Sequence, residues 1–286
     1  MPVASLVNYR FAFNDFEFGG GDSVYQILSI DGLEDLPVIR NQDDNRGFND
    51  GMFTGRDFLA GRNISMIIQT YGDGTNSAQY NYNILQSVLL PQSSGTTPLY
   101  FKFPPVTGDQ YINVRVRGLT TTVTPEYTYG QITSQLELFA PDPCYYSSNQ
   151  QTATLAYSTP TGRIYNRVYN LTYGGGSATI TTTITNNGWA NTYPTITITG
   201  PITNPTIGNQ TQSKALNLVG TFSSSDALVV DLYNKLITLN GQPARNLLIS
   251  GDWFSAQPGN NQFYFVGTGT LAGTTEATVV WHSAYI

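Results

Sequence analysis

Few residues of this chain are of the types that carry out chemistry, and their spacing defines no site. His282 is the only histidine and Cys144 the only cysteine, so no disulfide framework or cysteine metal cluster can form within one chain. The sequence contains no HExxH zinc pattern, no phosphate-binding loop and no dinucleotide fingerprint. We expect His282 to be structural, because it has no sequence-local partner that would complete a triad. The sequence therefore predicts a protein that is not an enzyme and has no cofactor or metal.

Carboxylates leave one catalytic alternative open. A glycoside hydrolase needs only two positioned carboxylates, and Glu126, Glu137, Asp231 and Asp252 are of the right type. Their spacing selects no pair, so this alternative is the least favoured.

Aromatic residues leave a second alternative, a carbohydrate-binding β-sandwich protein that adheres to a host surface. Trp189 and Tyr193 lie in a loop rich in Gly and Asn, and Trp253 precedes the Pro258-Gly259 turn. Aromatic side chains in such loops can stack on sugars. For Trp189 and Tyr193 glycan contact and a structural role are both open, whereas for Trp253 a core or corner position is favoured.

Composition excludes several classes of protein. Charged residues make up 11% of the 286 residues, against about 25% in typical soluble domains. With 13 basic and 19 acidic residues the formal net charge is −6, and no basic block provides the electrostatic footprint of a nucleic-acid binder. The start of the sequence lacks a basic region followed by an apolar run, and no apolar stretch approaches membrane-spanning length. We expect synthesis in the cytoplasm and no membrane association.

The first half of the chain is predicted to be mainly β with one helix. The expected elements are strands around Tyr9–Phe18, Val24–Ile30, Phe58–Gln69, Leu99–Phe103, Ile112–Arg117 and Ile132–Leu138, and a helix within Asn76–Leu90. Thr75 or Asn76 is the expected N-cap, and Tyr80, Ile84 and Leu85 begin the apolar face. Residues 38–57 are polar and rich in Gly, which indicates a surface loop. Their Asp spacing does not match an EF-hand loop, so we expect solvated turns rather than a calcium site.

The second half is predicted to be a two-sheet β-sandwich, because short alternating segments recur between turn residues. Thr179–Thr185 and Thr195–Thr199 are expected to be neighbouring strands, and Asn240-Gly241 is expected to form a tight hairpin turn. Pro141 and Pro143 cannot donate to a sheet ladder and end the last strand of the first half. We therefore expect a stiff domain joint there, between domains of residues 1–143 and 144–286; one large sandwich with an internal proline corner is the alternative.

The order of several motifs resembles one family, the distal tail proteins of long-tailed bacteriophages. In the second half the motifs are Gly200-Pro201-Ile202-Thr203-Asn204-Pro205, Asn240-Gly241, Gly251-Asp252-Trp253-Phe254, Gln257-Pro258-Gly259-Asn260-Asn261 and Val280-Trp281-His282-Ser283-Ala284-Tyr285. In the first half they are the Gly61-Arg62 strand, the single helix, Val114-Arg115-Val116 and the exit from Leu136 to Pro143. Each motif alone is weakly specific, and the resemblance depends on their order across both halves.

This resemblance implies an N-terminal ring-forming β-sandwich domain with one helix, followed by a galectin-like C-terminal sandwich. It further implies a structural protein of the virion tail tip, a homo-hexameric baseplate hub ring through which DNA passes without specific binding. The expected partners are the tail tube protein, the tail-tip hub protein and receptor-binding proteins. Closed cyclic symmetry requires two different contact patches on each subunit, so the polar face of Arg115 and Arg117 is a candidate subunit interface.

Overall fold

The structure, a computed structural model, describes residues 6–91, 93–104, 108–158, 180–268 and 275–286. The chain forms two compact units, Met1–Asn149 with Ile286, and Gln150–Tyr285. The boundary between the two units lies between residues 149 and 150, whereas the sequence predicted it between residues 143 and 144. The reason is a short strand, Tyr145–Ser147, that pairs with a strand of the N-terminal sheet.

The N-terminal unit is built around one bent sheet. Its strands are β1 (Arg10–Phe13), β2 (Phe16–Gly19), β3 (Tyr25–Asp31), β4 (Ile39–Arg40), β5 (Asp44–Asn45), β6 (Met52–Phe53), β7 (Phe58–Leu59), β8 (Arg62–Tyr71), β9 (Thr97–Phe101), β10 (Gln110–Thr122), β11 (Gln131–Ala140) and β12 (Tyr145–Ser147). The main path has the order β2-β1-β9-β10-β11-β8-β3, with β12 also on β10.

Strand β10 joins the two parts of this sheet by changing partners along its length. Residues 110–114 pair with β9 and residues 115–122 pair with β11, with a bulge at Arg117. Ile112, Val114 and Val116 are buried, as the alternating pattern predicted. The bulge bends the strand, which allows one strand to serve both parts of the sheet.

One α-helix, α1 (Ala78–Val88), packs on β8 and β11. Its N-cap is Ser77, whose side chain accepts a hydrogen bond from the Tyr80 N–H, so the predicted caps Thr75 and Asn76 are wrong. Leu85 and Leu89 are buried on the predicted apolar face, but Tyr80 is exposed and Asn81 is buried instead. The Asn81 Nδ2 donates to the Tyr71 carbonyl at 2.8 Å, and the backbone carbonyl of Asn81 accepts from the Tyr25 hydroxyl at 3.1 Å.

The C-terminal unit is a two-sheet sandwich. Its strands are β13 (Gln151–Leu155), β14 (Tyr157–Ser158), β15 (Thr181–Asn186), β16 (Thr195–Thr199), β17 (Ile202–Asn209), β18 (Lys214–Leu218), β19 (Thr221–Phe222), β20 (Ala227–Asp231), β21 (Leu236–Leu239), β22 (Gln242–Pro243), β23 (Leu248–Gly251), β24 (Gly259–Thr268), β25 (Glu276–Trp281) and β26 (Ala284–Tyr285). One sheet has the order β13-β25-β16-β20-β21-β22, and the other has the order β14-β24-β17-β18-β23, with β15 on β24 and β19 on β17.

The core of this sandwich is apolar and comes from both sheets. Ile196, Val230 and Val279 face Ile207, Phe263 and Phe265 in one continuous buried cluster. The prediction that residues 179–185 and 195–199 are neighbouring strands is wrong: β15 pairs with β24 in one sheet and β16 pairs with β20 and β25 in the other. Thr179 lies outside the described residues. The Asn240-Gly241 turn is confirmed, because both residues have positive φ between β21 and β22.

Candidate assembly surfaces

The segment of residues 34–60, called here the arm, is the part of the N-terminal unit with the least buried surface. The sequence predicted a surface loop, and the structure adds two short ladders, β4 with β7 and β5 with β6. Nearly every residue from 38 to 57 is exposed. The rest of the chain therefore contributes little to covering this segment.

The arm carries apolar side chains that its own fold leaves in water. Phe48 is fully exposed, and the other exposed large apolar residues of the arm are Leu36, Val38, Ile39, Met52, Phe53 and Leu59. Three arginines lie over aromatic rings: Arg46 is 5.1 Å from the Phe53 ring centre, and Arg40 and Arg56 are 5.6 and 5.4 Å from that of Phe58. A cluster of exposed apolar groups of this kind marks an interaction surface.

Arg62 holds the base of the arm. Its guanidinium is buried and donates to the carbonyls of Gly32, Leu33 and Asp35, at the start of the arm, and to the Pro143 carbonyl at 3.2 Å. It also lies 4.9 Å from the Tyr145 ring centre, and the Tyr145 hydroxyl donates to the Leu33 carbonyl at 2.8 Å. A buried charge is tolerated only when it is well hydrogen-bonded, so Arg62 fixes where the arm leaves the sheet.

Sequence reasoning missed the role of Arg62, although a signal was present. In β8 the buried residues recur at every second position, and Arg62 has the same phase as Ile64, Met66 and Ile68. A charged residue in the buried phase of a strand indicates a specific polar partner inside the protein.

A groove runs along the free edge of β3. It has a volume of about 410 Å³ and is lined by apolar residues, among them Phe11, Ile27 and Phe103, and by polar residues, among them Gln26 and Ser29. Strand β3 is last in the sheet order, so its second edge pairs with no strand among the described residues. Such an edge offers unpaired backbone groups to another segment.

Arg115 and Arg117 lie on the polar face of β10, as predicted. Arg115 is half-buried and Arg117 is exposed at the bulge. The Arg117 guanidinium lies 5.0 Å from the Phe139 ring centre. Neither arginine forms a salt bridge with the residues that the structure describes.

Pro141 and Pro143 lie between β11 and β12, within the N-terminal unit. Asp142 ties the turn together by accepting hydrogen bonds from the Cys144 N–H at 3.1 Å and the Tyr146 hydroxyl at 2.6 Å. Burial, with the nearby Asp142 carboxylate, raises the pKa of the Cys144 thiol to about 12. The role of the prolines as a joint that orients the second domain stays a prediction, and such a joint would act through β12, which follows them in the same unit.

The residues considered for catalysis form no metal centre. Among the described residues no group of three or more metal-ligating side chains occurs. Of the four candidate carboxylates, Glu126 and Glu137 lie in the N-terminal unit, and Asp231 and Asp252 lie in the C-terminal unit. Asp231 accepts hydrogen bonds from the backbone N–H groups of Tyr233 and Asn234, which is a turn-forming role. No described helix is long and apolar enough to cross a membrane.

The two glycan candidates lie on one extended segment of the C-terminal unit. Trp189 and Tyr193 are both exposed, with Trp189 in ring contact with Tyr285 and Tyr193 with Tyr233. The segment between them is fixed by antiparallel bridges from Ala190 to Ala284 and from Thr192 to Ala256.

Comparison with known proteins finds similarity to phage tail components. Residues 187–285 match the family model of the siphovirus-type tail component, C-terminal domain. No curated protein sequence matches the chain. The match lies within the two-sheet sandwich and includes the Trp189 segment.

The fold of the whole chain is similar to that of solved tail proteins. The Dit protein (gp 19.1) of phage SPP1, described as a paradigm of the hub adsorption apparatus in phages that infect Gram-positive bacteria, has a TM-score of 0.65 at 17% identity, over 97% of this chain and 99% of that chain. Chains of the phage P2 baseplate in its activated conformation, with Ca and with Sr, have TM-scores of 0.49 and 0.48 at 12% identity, over 95% of this chain and 97% of those chains.

Residues 187–285 are thus similar in sequence to the C-terminal domain of siphovirus-type tail components, and the fold of the chain is similar to that of a Dit protein. Both findings agree with the resemblance to distal tail proteins drawn from the order of the motifs. The expected mainly β fold with one helix is confirmed as well.

Proposed function

We propose that this protein is a non-enzymatic structural subunit of a phage tail tip, where copies of it form a hexameric baseplate hub ring. The observation that carries the proposal is the match of residues 187–285 to the tail-component family, supported by the Dit-like fold of the chain. The N-terminal domain builds the ring, and the galectin-like domain extends from it. This role requires no cofactor.

Ring closure needs two different patches on each subunit that fit each other. The arm is one candidate patch, because Phe48 and its apolar neighbours are exposed in the single chain. The β3 groove is a candidate for the second, since it combines polar and apolar lining residues with a strand edge that pairs with no strand among the described residues. Arg115 and Arg117 add a positive site that an acidic patch of the next subunit can neutralise.

In the virion the ring would join the tail tube protein to the tail-tip hub protein and the receptor-binding proteins, and DNA would pass through its centre. A net charge of −6 suits such a passage, because an acidic protein does not bind the phosphate backbone. The subunit would be synthesised in the host cytoplasm and act at the tail tip.

The experiment that tests the proposal is native mass spectrometry of the purified full-length chain, combined with negative-stain electron microscopy. We expect a species of six times the chain mass and sixfold rings with an open centre. A compact monomer at every concentration tested would contradict the ring, and hydrolysis of cell-wall polysaccharide by the pure protein would contradict the non-enzymatic role.

A further inference from the structure

Two pairs of aromatic side chains flank one segment of the C-terminal unit. Along residues 188–194 exposure alternates, so Trp189, Asn191 and Tyr193 are exposed while Ala190 and Thr192 are buried. Side chains two apart on an extended segment share one face, which places the Trp189 and Tyr193 rings on the same side. Four residues of extended chain span about 13 Å.

Each end of the segment carries a second ring. Trp189 contacts Tyr285 at 4.8 Å between ring centres with an interplanar angle of 80°, and Tyr193 contacts Tyr233 at 5.8 Å and 73°. Trp189, Tyr193 and Tyr233 are 60%, 41% and 51% exposed. We call Trp189, Tyr193, Tyr233 and Tyr285 the aromatic row.

A buried polar network holds this segment rigid. Asn186 is 1% exposed. Its Nδ2 donates to the carbonyls of Ala190 at 2.7 Å and Ala256 at 3.3 Å, and its Oδ1 accepts from the N–H groups of Gly188 at 3.1 Å and Ala284 at 3.2 Å. These four bonds use both donors and both acceptor positions of the amide.

Gly188 completes the arrangement. A Cβ at this position would lie 1.7 Å from the Ala284 carbonyl oxygen, so only glycine permits the close approach of the two segments. A buried, fully hydrogen-bonded amide and a required glycine therefore support the segment that carries Trp189, its largest side chain, which is exposed. Rigid support of exposed rings is the arrangement that lowers the entropic cost of binding.

We propose that the aromatic row binds an uncharged, extended oligosaccharide. Aromatic faces offer flat apolar area to the C–H faces of sugar rings, and the amides of exposed Asn187 and Asn191 offer neutral donors and acceptors for hydroxyl groups. The separation of about 13 Å between Trp189 and Tyr193 exceeds one sugar ring, so the ligand is a chain of sugars rather than a monosaccharide. Aromatic rings separated by amide groups match an oligosaccharide, because its apolar surface is limited to the faces of its sugar rings.

The test uses the full-length protein and isothermal titration with linear hexasaccharides of glucose, galactose, mannose and N-acetylglucosamine. We expect at least one of these to bind, and we expect Trp189→Ala and Tyr193→Ala each to weaken that binding at least about tenfold, the equivalent of about 1.4 kcal/mol. Tyr129→Ala is the matched control, because Tyr129 is equally an exposed aromatic residue but lies in the N-terminal unit. Its affinity should equal that of the unchanged protein.

Three results would overturn the proposal. These are no binding to any of the four hexasaccharides, binding that both row variants retain, and binding only to a polyanionic polymer such as lipoteichoic acid. Native mass measured on the same variants separates this inference from the proposed ring. A loss of the oligomer in Trp189→Ala would identify the row as a subunit contact and also overturn glycan binding.

Discussion

Replacing Phe48 by serine tests whether the arm is a subunit contact. The Phe48 ring is fully exposed and the residue lies between β5 and β6 at the end of the arm. The substitution removes no contact that the single chain makes with its own core. We therefore expect the free energy of unfolding to stay within about 0.5 kcal/mol of that of the unchanged protein.

The expected effect on assembly is much larger. Burying a phenylalanine side chain fully contributes about 1.5–3 kcal/mol, and each 1.4 kcal/mol changes a dissociation constant about tenfold. If a neighbouring subunit covers Phe48, the Ser variant should weaken each contact about 10-fold to 100-fold. A closed ring repeats this loss at every interface, so the concentration at which rings form should rise steeply.

The assay is mass photometry over a dilution series, with thermal unfolding as the control for folding. Phe48→Leu is the matched variant, since it keeps an apolar side chain and should retain most of the assembly. If the ring-shaped oligomers of Phe48→Ser persist to the same dilution as those of the unchanged protein, the assignment of the arm to the interface is refuted. Because loss of the oligomer lowers the melting temperature by itself, thermal unfolding is compared at a dilution at which both proteins are monomeric. A lower melting temperature of the monomeric variant there would refute the claim that the single chain does not use the Phe48 side chain.

Four further predictions concern the N-terminal unit. Arg115→Glu should reverse a positive charge at the proposed interface and lower the oligomer mass, and an unchanged ring would count against that interface. Pro141→Gly combined with Pro143→Gly should leave rings intact but blur the outer domains in averaged images, so sharp outer density would show that the prolines do not orient them. The Cys144 thiol, with a pKa raised to about 12, should resist maleimide labelling at pH 8 until the protein is unfolded; rapid labelling of the native protein would contradict its burial. Because the unfolded thiol loses its proton at lower pH than the folded one, this group should make the protein less stable as pH rises from about 9 to about 12.

Local sequence patterns were sufficient to predict the fold where burial depends only on which face of a strand a residue occupies. The alternation of Ile112, Val114 and Val116 identified the core face of β10, and Asn240-Gly241 identified a hairpin turn, because each depends only on residues near in sequence. The resemblance to distal tail proteins was also drawn from the order of such local motifs along the chain.

What the sequence did not reveal depends on contacts between distant residues. Asn81 replaces Tyr80 on the buried face of α1 because its amide meets the Tyr71 carbonyl, and a helical pattern scores asparagine as polar. Likewise, β15 and β16 are consecutive alternating strands, but the segment between them crosses from one sheet to the other. The networks of Arg62 and Asn186 join residues far apart in the chain, so neither is visible from spacing.

The position of β25 has a consequence for how the protein is made. This strand lies between β13 and β16, so residues 277–281 pair with residues 151–155, the first strand of the same unit. The C-terminal sandwich therefore cannot close this sheet until β25 has left the ribosome, whereas the strands of the N-terminal sheet path are complete once β11 has emerged. Since domains fold as units during synthesis, the N-terminal unit should fold first, and the sandwich should fold only after β25 has emerged.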